Sequence, residues 1–131
     1  MRLLIASAVN QIGFFALAEA AARGHEVCAT RRRRRFAEDP APVRWVDAPV
    51  DCAPEGLIFC GPLDLAAPLV EQLAPHGLKV VVAISSASIH FKQRSPDPAD
   101  RAMVSRLRAG EAALRAACAN DTNVLSMRIP P

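Results

Sequence analysis

The chain opens on Leu3-Leu4-Ile5-Ala6-Ser7-Ala8-Val9-Asn10-Gln11-Ile12-Gly13, and the shape of this stretch decides the fold. Residues 3–6 are too few for a helix and too uniformly apolar for an edge strand, which makes them a first strand buried on both faces. Residues 11–23 come next, with Ile12, Phe15, Ala16, Ala18 and Ala22 available for a packed face and Gly24 as the stop, which predicts a helix. A buried strand that feeds a helix through a short turn begins a parallel sheet covered by helices.

The same alternation continues outward. Residues 26–30 read as a second strand, 43–46 as a short third strand around Trp45, and 57–60 as a fourth that ends at Gly61-Pro62. Charge and proline make 31–42 a loop, and Pro49 and Pro54 break the stretch between the third and fourth strands. Residues 65–74 are helical, with Pro68 tolerated near the start, and Ala74-Pro75-His76-Gly77 ends them. Residues 79–84 form the most strongly β segment, 99–119 the longest helix and 123–127 a last strand. The expected class is α/β, a single domain over residues 1–131 with six strands and about four helices.

Composition agrees with one domain. The 131 residues are 51% hydrophobic and 22% charged, enough to bury roughly two-thirds of the unfolded surface without metal or disulfide staples. The net charge of +3 rests on arginines 31–35, without which acidic residues outnumber basic ones, so the basic character is one local cluster. Cys28, Cys52, Cys60 and Cys118 form no C-x-x-C pair and suit a reducing, cytoplasmic setting. His25, His76 and His90 are too widely spaced for a local metal site, and none is expected. Asn10, Gln11 and Glu19 interrupt the N-terminal apolar run before it reaches a bilayer-spanning length, so neither a signal peptide nor a membrane helix is expected.

The first strand-to-helix turn of a doubly wound sheet is where a nucleotide is held, because free amides and the helix dipole favour a pyrophosphate there. Here the turn, Ala6 to Gly13, resembles that of the extended and atypical short-chain dehydrogenase/reductases, the NAD-dependent epimerase/dehydratase group. Their G-x-x-G-x-x-G falls on Ser7, Asn10 and Gly13. Only the third glycine is kept; Ser7 brings a small side chain with a hydroxyl, and Asn10 is a residue that tolerates the left-handed conformation. A plain buried turn without ligand is the competing reading.

The resemblance implies a three-layer α/β/α Rossmann-type sheet in the order 3-2-1-4-5-6, with the cofactor crevice at the carboxyl ends of strands one and four. It puts Ser7, Ala8, Asn10, Gln11 and Ile12 at the pyrophosphate. Arg23-Gly24-His25-Glu26-Val27 is similar to the turn into the second strand, whose end carries Arg31 and Arg32. Arginines there suit the 2′-phosphate of NADP, so NADP is the implied cofactor, with NAD second. A solvated loop and a nonspecific nucleic-acid contact are the alternatives for the arginine run, the latter the weaker. Cys60, Gly61 and Ser85 would line the nicotinamide side, and Asp47 or Asp51 would match an acidic residue at the adenine.

Residues 80–90, Val-Val-Val-Ala-Ile-Ser-Ser-Ala-Ser-Ile-His, resemble the family's fifth strand and its serine-rich end, and Ser86 falls on the catalytic serine. In relatives that serine works beside a tyrosine and a lysine four residues later. This chain has no tyrosine; matching through Glu111 puts Met103 and Leu107 at those positions, and neither can move a proton. His90 is a weak substitute as acid or base. Leu125-Ser126-Met127-Arg128-Ile129-Pro130 resembles the sixth strand and its L-R-I-P continuation, and the family's substrate-binding region is absent from these 131 residues. The reading is thus an NADP-preferring epimerase/dehydratase-like oxidoreductase domain without the family's catalytic pair. A silent scaffold or dinucleotide-sensing module is the second reading. Apolar surface near Ile129 is expected to be exposed and to drive homodimerisation or another association.

Overall fold

A computed structural model describes residues 1–30, 38–118 and 123–129. Six strands, β1 (Arg2–Ala6), β2 (Glu26–Ala29), β3 (Arg44–Trp45), β4 (Gly56–Phe59), β5 (Val80–Ser86) and β6 (Asn123–Ile129), form one sheet in the order β3-β2-β1-β4-β5-β6. Every pairing is parallel. The helices are α1 (Gln11–Ala22), α2 (Ala66–Leu73), a single turn α3 (Ser88–Phe91) and α4 (Pro98–Ala117). This is the doubly wound Rossmann-type order that the resemblance implied.

Strand periodicity divides the core in two. Leu4, Ala6, Leu57, Phe59, Val81 and Ala83 point to one face, where Val70 and Leu73 of α2 and Leu114 of α4 close over them. Leu3, Ile5, Val27 and Ala29 point to the other face and meet Leu17 and Ala20 of α1. The sheet is therefore a middle layer, with α1 on one side and α2 and α4 on the other.

Element ends differ from the sequence reading where local chemistry intervenes. The helix expected over 65–74 is α2 flanked by 3-10 turns at Leu63–Leu65 and Ala74–His76; Pro75 sits in the second of these, and Gly77 closes it with φ 94°. β5 runs on to Ser86 because β6 pairs with it as far as Ile129. The longest helix starts at Pro98 behind Asp97, whose carboxylate accepts from the Ala99 amide. The third strand shrinks to two residues, and the single turn α3 has no counterpart in the apolar pattern.

Candidate crevice at the ends of the first and fourth strands

The sheet order reverses between β1 and β4, the switch point at which doubly wound sheets hold their ligands. Ser7 ends β1 with φ 56°, in the left-handed region that favours glycine. Packed against it is Gly61, where a Cβ would come within 2.6 Å of the Ser7 hydroxyl oxygen. Gly13 is equally constrained, since a Cβ there would meet the Ala8 carbonyl oxygen at 2.0 Å; its hydrogen-only side chain lets α1 start directly against the turn.

Asn10 has a different role from the one its sequence position suggested. Its backbone is extended (φ −150°), so the left-handed conformation belongs to Ser7 and not to Asn10. Its side chain caps α1: Oδ1 accepts from the Gly13 amide at 2.7 Å, while Nδ2 donates to the carbonyls of Ser7 (3.2 Å) and Cys60 (3.0 Å). Asn10 thus ties the loop after β1 to the loop after β4. The Asn10 amide donates to Ala8 O, so two of the four amides that begin α1, those of Asn10 and Gly13, are satisfied locally. Ala8 is buried, and its amide donates to Thr30 O at 3.2 Å; the Ser7 amide donates to Thr30 Oγ1 at 3.2 Å. The end of β2 therefore holds the turn. Arg31 and Arg32, the next residues, lie outside the described part of the chain.

On the far side, Cys60 is buried and its thiol is pushed up to about 11 by desolvation, so this residue offers its backbone and not a reactive sulfur. Ser85 is also buried, and its hydroxyl donates inward to Glu111 Oε1 at 2.7 Å. Ser86 is half-buried, with its oxygen accepting from the Ser88 amide at 3.1 Å to start α3. Asp47 and Asp51 are exposed on the connection from β3 to β4.

A cleft of about 400 Å³ adjoins the crevice, walled by Pro62, Leu63 and Asp64 after β4 and by Met103, Arg106 and Leu107 of α4. The two residues matched to tyrosine and lysine thus face the crevice loop, and both are apolar. Gly110 lets α4 approach, because its missing Cβ would lie 3.1 Å from Leu63 Cγ. Behind the cleft, Arg128 grips the buried Glu111 with two hydrogen bonds (2.9 and 2.7 Å), and its third nitrogen lies 2.7 Å from His90 Nε2. Arg128, then burial acting in opposition, then Ser85, hold the Glu111 carboxyl below the usual carboxylate range. Sequence reasoning used Glu111 only to match the helix to that of relatives; a lone glutamate in a helix segment that is otherwise Ala- and Leu-rich was the available signal for this buried cluster. Among the described residues no group of His, Cys, Asp and Glu is arranged to hold a metal, and no helix is long and apolar enough to cross a membrane.

No family model and no curated protein sequence matches the chain. Solved structures do. A Bacillus halodurans protein assigned to the NAD-dependent epimerase/dehydratases superposes with a TM-score of 0.77 at 20% identity, over all of this chain and 71% of its own. The GalE-like L-threonine dehydrogenase of Cupriavidus necator, in its holo form, gives 0.75 at 18% identity over 98% of this chain and 54% of its own. The Bordetella bronchiseptica enzyme WbmG in complex with NAD and UDP gives 0.68 at 17% identity over 98% and 52%. The likeness is one of fold, and this chain spans about half the length of most of these structures.

Proposed function

We propose that this chain is a dinucleotide-binding domain of epimerase/dehydratase type, preferring NADP(H) and lacking the proton-transfer pair of that group. The observation that carries the reading is the left-handed backbone of Ser7 against Gly61 at the switch point of the sheet. A serine held where glycine is favoured, packed against a glycine with no room for a Cβ, keeps a backbone cradle of the kind a pyrophosphate needs. The residues present fit such a ligand: the first-turn amides of Gln11 and Ile12 at the N-terminal end of α1 would meet the phosphates, and Gly61 would let the nicotinamide half lie close to the strand ends.

A bound nicotinamide dinucleotide would supply hydride transfer. The chain's own residues would bind and orient it: Asn10 fixes the two loops relative to each other, and Thr30 fixes the turn on β2. Arg31 and Arg32 supply the positive charge for a 2′-phosphate. Ser86 remains the candidate for polarising a substrate oxygen, but Met103 and Leu107 offer nothing to receive or return the proton. Calorimetric titration with NADPH and NADH at moderate salt tests this. Tighter binding of NADPH, lost on Arg31→Ala with Arg32→Ala, is the expected result; binding of neither would overturn it.

The second reading, a silent scaffold or dinucleotide-sensing module, is favoured by the apolar lining of the cleft at Met103 and Leu107. Installing Met103→Tyr with Leu107→Lys separates the two. Reductase activity gained on a broad carbonyl panel would support an enzyme that has lost its pair, and no gain in a variant that still binds NADPH would favour the silent module.

A further inference from the structure

The four cysteines are all free and buried, but they are not distributed alike. Cys60 belongs to the core on the face of α1, and Cys118 caps the far end of α4. Cys28 and Cys52 lie together in the core on the other face, 0% and 1% exposed.

The register of the sheet and two arginines bring these two into contact. Arg2 pairs with Glu26, Leu4 with Cys28 and Cys28 with Arg44, so the side chains of Arg2, Cys28 and Arg44 leave three neighbouring strands on one face. Arg2, from β1, donates to the Cys52 carbonyl at 3.3 Å, and Arg44, from β3, donates to the Asp51 carbonyl at 3.3 Å. The 3-10 turn Pro49–Asp51 and its cap Cys52 are thereby strapped across β2, the strand that lies between the two arginines. The Cys28 and Cys52 thiols meet there as hydrogen-bond partners.

With the turn in place Cys52 is inert. Burial, and after it the bond with Cys28, push its thiol up to about 12, and only a thiolate attacks other sulfurs. The next residue lowers the cost of opening the turn, because Ala53 is held at φ 45°, a left-handed backbone that an alanine adopts only at a cost in free energy. Local opening of such a turn brings Cys52 to solvent while Cys28 stays in its strand.

We propose that Cys28 and Cys52 form an oxidation site, closed to a disulfide by exchange with a low-molecular-weight disulfide and reopened by a dithiol. The Cys52 thiol loses its proton and its sulfur attacks one sulfur of the reagent, whose S–S bond breaks to release one reagent thiol. The Cys28 sulfur, losing its own proton, then attacks the Cys52 sulfur of the mixed disulfide, and the second reagent thiol leaves. The chain gives up two electrons and two protons, and the reagent takes up both. The bridge closes a loop of roughly 25 residues. It staples the connection from β3 to β4 onto the strand whose end, at Thr30, holds Ser7. None of this depends on a bound dinucleotide.

The test uses the full chain, incubated with glutathione disulfide, unfolded in N-ethylmaleimide and analysed by mass spectrometry. Trypsin with a glutamate-specific protease cuts between all four cysteines. The expected result is alkylation of Cys60 and Cys118 alone, with one linked peptide pair joining residues 28 and 52. The melting temperature should rise by about 5–10 °C on oxidation and return with dithiothreitol. Cys52→Ala should abolish both the link and the rise, and Cys118→Ala should keep both. Four alkylated thiols in the treated wild type, a reagent adduct that never resolves to a bridge, a bridge to Cys60 or Cys118, or an oxidised chain that melts no higher would each overturn the proposal.

Discussion

Ser7→Gly is expected to raise stability by about 0.5–1 kcal/mol, because a left-handed serine costs about 1–2 kcal/mol and glycine returns part of that gain through its looser unfolded chain. The melting temperature should rise by about 2–4 °C, and a fall would mean that the serine side chain holds the turn. The opposite sign is expected at Gly13→Ala, where the new methyl would meet the Ala8 backbone itself, which cannot give way. A loss of about 3 kcal/mol or more in urea denaturation checks it. At this scale the sequence was only partly legible. The family resemblance marked Ser7, Asn10 and Gly13 as a set, but which of the first two carries the strained backbone depends on Thr30, Cys60 and Gly61, distant in sequence and brought together only by the sheet.

Between elements, the joint that matters is Glu111 of α4, Ser85 of β5 and Arg128 of β6. Its carboxyl is held below its ordinary value in the folded chain, so the unfolded chain takes up a proton first as pH falls. The stabilisation is therefore complete above about pH 4.5 and is lost as pH drops through the lower, folded value. Glu111→Gln is expected to cost about 1 kcal/mol at pH 7 and to flatten the acid limb, read as thermal unfolding from pH 7 down to pH 3. Equal acid sensitivity in the variant would show that the pair contributes no linkage. Sequence periodicity found β5 and α4 but not this joint, and it missed α3 because a single turn carries too few residues for a helical pattern. Ser86 starts that turn by accepting from Ser88, a local bond that no apolar pattern reports.

For the molecule as a whole, the alternation of strands and helices was legible because buried strands leave continuous apolar runs, and the strand order came with the family resemblance, whereas the side taken by each helix was not read. What could not be read was how far one helix reaches over six strands, since residues 80–84 look the same whether their second face is covered or bare. The apolar exposure expected near Ile129 is present, and it extends inward to Ile84 and Ile58. That face also gives a prediction: Met127→Lys should lower the binding of a hydrophobic dye to the chain, whereas unchanged fluorescence would place the sticky surface elsewhere.

The all-parallel pairing has a consequence for how the chain comes off the ribosome. No strand can pair with its neighbour through a tight turn, so each must wait for a long connection to be made first. β5 is the last inner strand to gain its second neighbour: until residue 129 has emerged, Val80-Val81-Val82-Ala83-Ile84 is an edge of five uncharged residues left unpaired on one side. Nascent chains stalled within α4 should therefore be prone to aggregation, and the arrival of β6 is the event that ends the exposure.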